Sequence, residues 1–391
     1  MTLAQSAREL FENYDKYKHP QIMSRRFTQA DLLRWVKNSE EKHVFEKSTI
    51  GTSAEARSIY LLMAGNGPTK VLLWSQMHGD EATATMALVD ILNFFTHHPS
   101  HQAVKLIKDK LALLMIPMIN PDGAERFQRR TAQLIDMNRD ALQLATPEAR
   151  ILKDVQQKHK PEFGFNLHDQ DPRYTVGPTN KVAAIALLAP AADDARTDNS
   201  VRTRAKKVAA VLTSVLHQFV VGHVAKYDDS FEPRAFGDNI QKWGTSTVLI
   251  ESGGWKNDRD KMFLRKLNFV GLVTALCTIA DQSYAEADVD LYDKLQFNTK
   301  NLFDIIIRNG SLKTNERVSA LSVDVGLNVE EVAKPSTGKL EMVAKIVDVG
   351  DLRTFGAFEE IDAGGRSLDS SRVILEKSFP YSDIRSLILQ K

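Results

Sequence analysis

The chain has 391 residues, 43% hydrophobic and 26% charged, a composition of folded rather than disordered or fibrous protein. Its 51 basic and 50 acidic residues leave a net charge of +1, which gives no electrostatic footprint for nucleic acid or an acidic membrane surface. The one cysteine, Cys277, excludes an internal disulfide and a multi-cysteine zinc site, so a metal would have to rest on His, Asp and Glu.

The first 45 residues read as polar, amphipathic helices with Leu32, Leu33, Trp35 and Val36 as a buried stripe. Arg8, Glu9, Glu12, Asp15, Lys16 and Lys18 stand where a secretory signal would carry its apolar core. The chain as given is therefore expected in the cytoplasm, and in a secreted or periplasmic setting only if it had been trimmed. No membrane span is expected, since the longest uncharged apolar run, residues 269–280, falls short of the roughly 20 residues required.

From about Phe45 strands alternate with helices. Residues 58–63 and 70–75 flank the turn signal Gly65-Asn-Gly-Pro68 and read as a hairpin. Ala84, Leu88, Ile91, Leu92 and Phe95 recur at helical spacing in a helix opening near Glu81. Residues 111–118 suit a buried central strand that ends in the loop Asn120-Pro-Asp-Gly123. Strands at 163–167, 183–188 and 247–250 alternate with helices at 147–158, 201–219 and 260–281, which predicts an α/β domain with its sheet covered on both faces. Beyond residue 286 short strands dominate, clearest at 303–310, 318–325, 339–349 and 372–377. The division is therefore a domain over 1–285, including the N-terminal helices, and a β-rich, sandwich-like domain over 286–391. The second resembles the small β-sandwich that flanks amidohydrolase barrels, in its runs 303–310, Ile346-Val-Asp-Val-Gly350 and Glu360-Ile-Asp-Ala-Gly-Gly365. That likeness concerns a scaffold and implies no amidohydrolase chemistry.

The chemistry concentrates at strand ends. In Gln76-Met-His-Gly-Asp-Glu81 a histidine and a glutamate three apart can turn toward one cation; the bland alternative is a polar loop capping a helix, with Asp80 and Glu81 favoured by its dipole. A catalytic zinc needs three protein ligands and an open position. Of the ten histidines, His97, His98 and His101 sit in a polar loop and His159 at a helix end, whereas His168 closes the apolar run Phe163-Gly-Phe-Asn-Leu-His168. Beside the first pair it becomes the best third ligand, although alone it would read as an ordinary core or edge histidine. Glu251 ends another apolar strand, where it is either a cap or a general base.

The order His78-x-x-Glu81, Asn120-Pro-Asp-Gly123, Asn138-Arg139, His168, Glu251 resembles the zinc metallocarboxypeptidase family related to carboxypeptidase A, over about residues 45–285. The segment from Ile50 to Tyr60 is similar to that family's entry segment. The resemblance implies a mixed sheet flanked by helices on both faces. It implies one zinc on His78, Glu81 and His168, with Glu251 as general base. It further implies that Arg129 stabilises the oxyanion, with Arg130 the competing register, and that Asn138 and Arg139 grip the substrate's terminal carboxylate. Tyr227 is the nearest match to the family's substrate-contacting tyrosine, and residues 234–243 would build the specificity pocket. Gly-Asp between His78 and Glu81, where digestive members carry Ser-Arg, and the lack of a cysteine pair or propeptide point to a bacterial-type member. The expected activity is hydrolysis of C-terminal peptide bonds. The alternatives are deacylation of small N-acyl amino acids, as in proteins resembling aspartoacylase and succinylglutamate desuccinylase, trimming of cell-wall peptides, and non-catalytic binding through the sandwich domain.

Overall fold

A computed structural model describes residues 2–315, 317–333 and 340–389. The chain forms two compact units: Met1–Pro172 with Ala183–Asn298, and Arg173–Val182 with Thr299–Lys391. The expected division lay at 285/286; the units part at 298/299, and a ten-residue excursion from the first half is counted with the second unit.

The first unit opens with helices α1 (Leu3–Glu12), α2 (Tyr14–Tyr17) and α3 (Gln29–Glu41). Thr2 and Thr28 start α1 and α3 with reciprocal side-chain caps, and Leu32, Trp35 and Val36 of α3 are buried as the periodicity predicts. There follow β1 (Glu46–Thr52), β2 (Ser58–Ala64), β3 (Thr69–Ser75), α4 (Thr83–His97), α5 (Gln102–Lys110), β4 (Leu111–Ile116), α6 (Pro121–Arg126), α7 (Pro147–His159) and β5 (Phe163–Asp169). After β6 (Tyr174–Val176), which belongs to the second unit, come β7 (Ile185–Leu188), α8 (Ser200–Leu216), β8 (Val224–Lys226), α9 (Phe236–Lys242), β9 (Ser246–Ser252), α10 (Met262–Ala280) and α11 (Asp290–Asp293). The eight strands lie in the order β1-β2-β4-β3-β5-β9-β7-β8, with β4, β3, β5 and β9 mutually parallel at the centre.

That order overturns the hairpin reading of 58–63 and 70–75. Strand β4 lies between β2 and β3, antiparallel to one and parallel to the other. The loop after β2 crosses the start of β4: Asn66 N–H donates to Lys108 O at 3.1 Å and Gly67 N–H to Leu111 O at 3.1 Å. A second correction concerns Asn120-Pro-Asp-Gly123, which is not an open loop but the start of α6. Asn120 caps it by accepting from Gly123 N–H, and Pro121 fills a first-turn position that needs no donor.

Strand alternation divides the core. Val71, Leu73, Phe163, Phe165, Val248 and Ile250 face one side, with α4, α8 and α10. Leu72 and Trp74 face the other, with α7 and α9. Helix α10 is long and apolar enough to cross a membrane by length and composition, and most of it is buried inside the fold. The N-terminal helices are fastened by a buried charge pair. Asp90 of α4 accepts from Arg265 Nε at 2.7 Å, Tyr14 Oη at 2.7 Å and His19 N–H at 2.7 Å, while Arg265 donates to Ile22 O and His19 O.

In the second unit, β6 pairs with β10 (Asn298–Lys300), and β11 (Leu302–Leu312), β12 (Leu321–Ala333), β13 (Leu340–Gly350), β14 (Gly356–Asp362) and β15 (Ser378–Pro380) form a sheet in the order β14-β11-β12-β13-β15. The strand expected at 372–377 is irregular chain, and the pairing with β13 is made just after it by β15. Of the run expected at 339–349, residue 339 lies outside the described residues.

Candidate metal centre

The parallel strands all deliver their C-terminal ends to one edge of the sheet, where ligand-binding groups gather in α/β folds. His78 and Glu81 sit in the turn between β3 and α4, and His168 and Glu251 stand opposite each other near the ends of β5 and β9. Gly79 is required by a close approach: a Cβ there would lie 2.0 Å from the carbonyl carbon of Gly123, so this turn packs directly on α6. Asn120 locks the same contact by donating to Met77 O at 3.1 Å.

His78 Nδ1 is 2.7 Å from Glu81 Oε1, and His168 Nδ1 is 2.6 Å from Glu81 Oε2. One ligand atom from each of the three residues lies within 4.8 Å of the others, and all three residues are buried. Two imidazoles and a carboxylate form a donor set suited to zinc, so the residues present fit the metal. His78 is oriented from behind, its Nε2 lying 3.0 Å from Asp136 Oδ1. To hold zinc the imidazole must be neutral; giving its one N–H to Asp136 would then leave a lone pair on Nδ1, the nitrogen that faces Glu81. His168 has no such support, because its Nε2 is buried without a partner.

The charges follow from burial and proximity. Burial works against a proton on His78, but Glu81 and Asp136 outweigh it and lift its pKa to about 9. Burial raises the carboxyl of Glu81, yet His78 and His168 carry it well below the usual carboxylate range. Burial lowers His168. In Glu251, burial and then the neighbouring Glu81 push the carboxyl well above the usual range.

Arg129 joins this group: Nη1 is 3.0 Å from Glu81 Oε1 and 3.1 Å from His78 Nδ1, while Nε and Nη2 reach Asp136 Oδ2. Arg130, the competing register, turns away to donate to Leu134 O. Asn138 Oδ1 accepts from Phe236 N–H at 2.9 Å, which ties its loop to α9. Arg139 is 40% exposed and lies 3.5 Å from Glu232, which also binds Arg234. Tyr227 follows β8, two strands beyond β9, half-buried, its N–H donating to Leu187 O. Sequence reasoning gave no role to Asp136; the signal available was only its place in Asp136-Met-Asn-Arg-Asp140.

Residues 32–168 match the family described as zinc carboxypeptidase. Over those residues the chain is similar to the zinc carboxypeptidase family. A probable carboxypeptidase 2 from Arthroderma benhamiae is 30% identical over 145 residues, and carboxypeptidase D from Rattus norvegicus is 27% identical over 96 residues. The first alignment takes in 36% of this chain and 27% of that relative, the second 22% and 7%, so the chain spans about a quarter or less of the length of these relatives. The fold is shared with a metallo-carboxypeptidase from Burkholderia cenocepacia, at TM-score 0.52 and 13% identity over 66% of this chain and 70% of that one. It is also shared with bovine thrombin-activatable fibrinolysis inhibitor, at TM-score 0.53 and 12% identity over 66% and 98%. These two likenesses cover the α/β fold with its mixed sheet.

Proposed function

We propose that this chain is a zinc-dependent carboxypeptidase that hydrolyses the C-terminal peptide bond of peptides. The observation that carries the reading is the convergence of His78, Glu81 and His168, with Glu251 in register beside His168. Zinc, when bound by those three residues, would polarise the scissile carbonyl and acidify water. Glu251 would take the proton of the attacking water and return it to the leaving amine. Arg129, already turned into the site, would face the carbonyl oxygen as negative charge develops there. Asn138 and Arg139 would read the terminal carboxylate, the guanidinium offering two parallel donors.

Half-exposure of Arg139 sets the size of the effect. A fully desolvated pair would be worth several kcal/mol, whereas a partly screened one contributes about 1–2 kcal/mol, or roughly 5- to 30-fold. The test compares free-acid and C-terminally amidated forms of one peptide on the wild type and on Arg139→Ala. The acid should be preferred by that factor, and the variant should lose the preference. Equal rates on the wild type would mean that the carboxylate is not read. A panel of small N-acyl amino acids and cell-wall peptides would then identify the amide that is cleaved.

A further inference from the structure

One residue beyond His168 and Glu251, Asp169 and Ser252 stand in register across β5 and β9, their side chains on the opposite face of the sheet, toward α4 and α10. Asp169 supports the metal centre from behind. Its N–H donates to Glu81 Oε2 at 3.2 Å, and its Oδ2 accepts from Thr83 Oγ1, at the start of α4, at 2.7 Å. Among the described residues its Oδ1 is buried without a hydrogen-bond partner, so this carboxylate is held through Oδ2. The cation that faces it is Lys261, whose Nζ lies 3.2 Å from Oδ2.

Lys261 occupies a place that suits a lysine badly. It immediately precedes α10 with a φ of 57°, a left-handed backbone that few side chains adopt. The start of a helix also disfavours a cation, and the cap there is supplied by Asp258, which accepts from Phe263 and Leu264 N–H. The lysine side chain is only 7% exposed, so its charge is largely withdrawn from water. What the lysine adds is a bridge: the ammonium donates to Ser252 O at 3.1 Å while it pairs with Asp169. Ser252 O already accepts from Gln170 N–H at 3.0 Å, and the ammonium takes its second lone pair. One group therefore spans the ends of the two strands that carry His168 and Glu251.

We infer that Lys261 is a positioning residue for the proposed hydrolysis, tying the end of β9 to Asp169 on β5 so that Glu251 is held in place beside His168 and Glu81. The inference rests on the carboxypeptidase reading with Glu251 as the base. Lys261 acts through Asp169 and Ser252, each joined by one peptide bond to the residue it places. Without the ammonium, Asp169 is a buried carboxylate deprived of its cation, and it shifts to find water, carrying with it the N–H that holds Glu81. A displacement of about 1 Å at reacting groups costs on the order of 10²-fold in rate.

The experiment compares the zinc-loaded full chain with two variants. Lys261→Met keeps the apolar stem and removes the ammonium; Lys261→Met combined with Asp169→Asn also removes the charge left behind. On blocked peptides with a free terminal carboxylate, kcat per bound zinc should fall about 10- to 100-fold in both, with KM within about threefold. With cobalt in place of zinc, the visible absorption bands, which report the arrangement of the ligands, should shift in both. A lysine that served stability alone would lower the unfolding midpoint and leave both readings as in the wild type. A kcat per bound zinc within about twofold of wild type, or unshifted cobalt bands, would overturn the inference while leaving the carboxypeptidase reading intact. If the wild type cleaves no peptide, that reading fails, and the cobalt bands alone decide whether Lys261 places the ligands. Should Lys261→Met fail to fold, the double variant, in which neither charge of the pair remains, gives the same two readings.

Discussion

Asp136 makes the support of His78 measurable. Its Oδ1 accepts from Asn138 N–H at 3.0 Å and stands 3.0 Å from His78 Nε2, and its Oδ2 faces Arg129. The backbone donor means that Asp136→Asn must keep an oxygen at the first position, so His78 retains its tautomer while the carboxylate charge is lost. The new NH2 then meets Nε and Nη2 of Arg129, donor against donor. Asp136→Ala removes the orienting bond as well. The Asp136 side chain is only 14% exposed, so solvent replaces its charge poorly. Outer-shell partners of metal ligands are worth about 10- to 100-fold in metal affinity, or roughly 1.4–2.7 kcal/mol. Asp136→Ala should lie at the upper end of that range and Asp136→Asn at the lower. Competition against a fluorescent zinc chelator measures both. Arg129→Ala is the control, because it removes a cation held against two ligand atoms and should weaken zinc binding by no more than a few-fold. Zinc affinity of Asp136→Ala within twofold of wild type would refute the reasoning, as would an equal loss in Arg129→Ala.

Glu251→Gln should keep stoichiometric zinc by metal analysis and lose about 10²- to 10⁴-fold in kcat, since the amide preserves shape without the base. Asp90→Asn leaves Arg265, 2% exposed as a side chain, without its anion and should cost about 3–5 kcal/mol in urea unfolding. Burial raises the carboxyl of Asp238 from its ordinary range to about 7. The folded state therefore binds this proton more tightly than the unfolded chain does. That contribution to stability is complete below about pH 4 and is lost as the pH rises through about 7. Asp238→Asn should flatten this part of a stability–pH curve, and an unchanged slope in denaturant titrations would exclude it.

His78, Glu81, His168 and Glu251 were legible because a charged or metal-binding side chain ending an apolar strand is a departure from pattern visible within a few residues. Asp136 was not, because its partner lies 58 residues away and nothing local marks the pairing. The same limit explains the hairpin. Gly65-Asn-Gly-Pro68 is a genuine turn, but a turn signal reports that the chain reverses and not which strand enters beside it; β4 begins only at Leu111. The stripe of α3 was readable because burial there follows period alone.

The bond network of Asp90 and Arg265 bears on how this domain could be moved between proteins. The family match begins at residue 32, after Tyr14, His19 and Ile22 have supplied a hydroxyl, an amide and two carbonyls to that pair. A graft cut at the boundary of similarity would carry the ionic couple into its new host without those four hydrogen bonds, and water would enter between α4 and α10. The transferable module therefore includes α1, α2 and the segment through Ile22 ahead of the match, which act as an internal solvent for a charge the remaining domain cannot shelter alone.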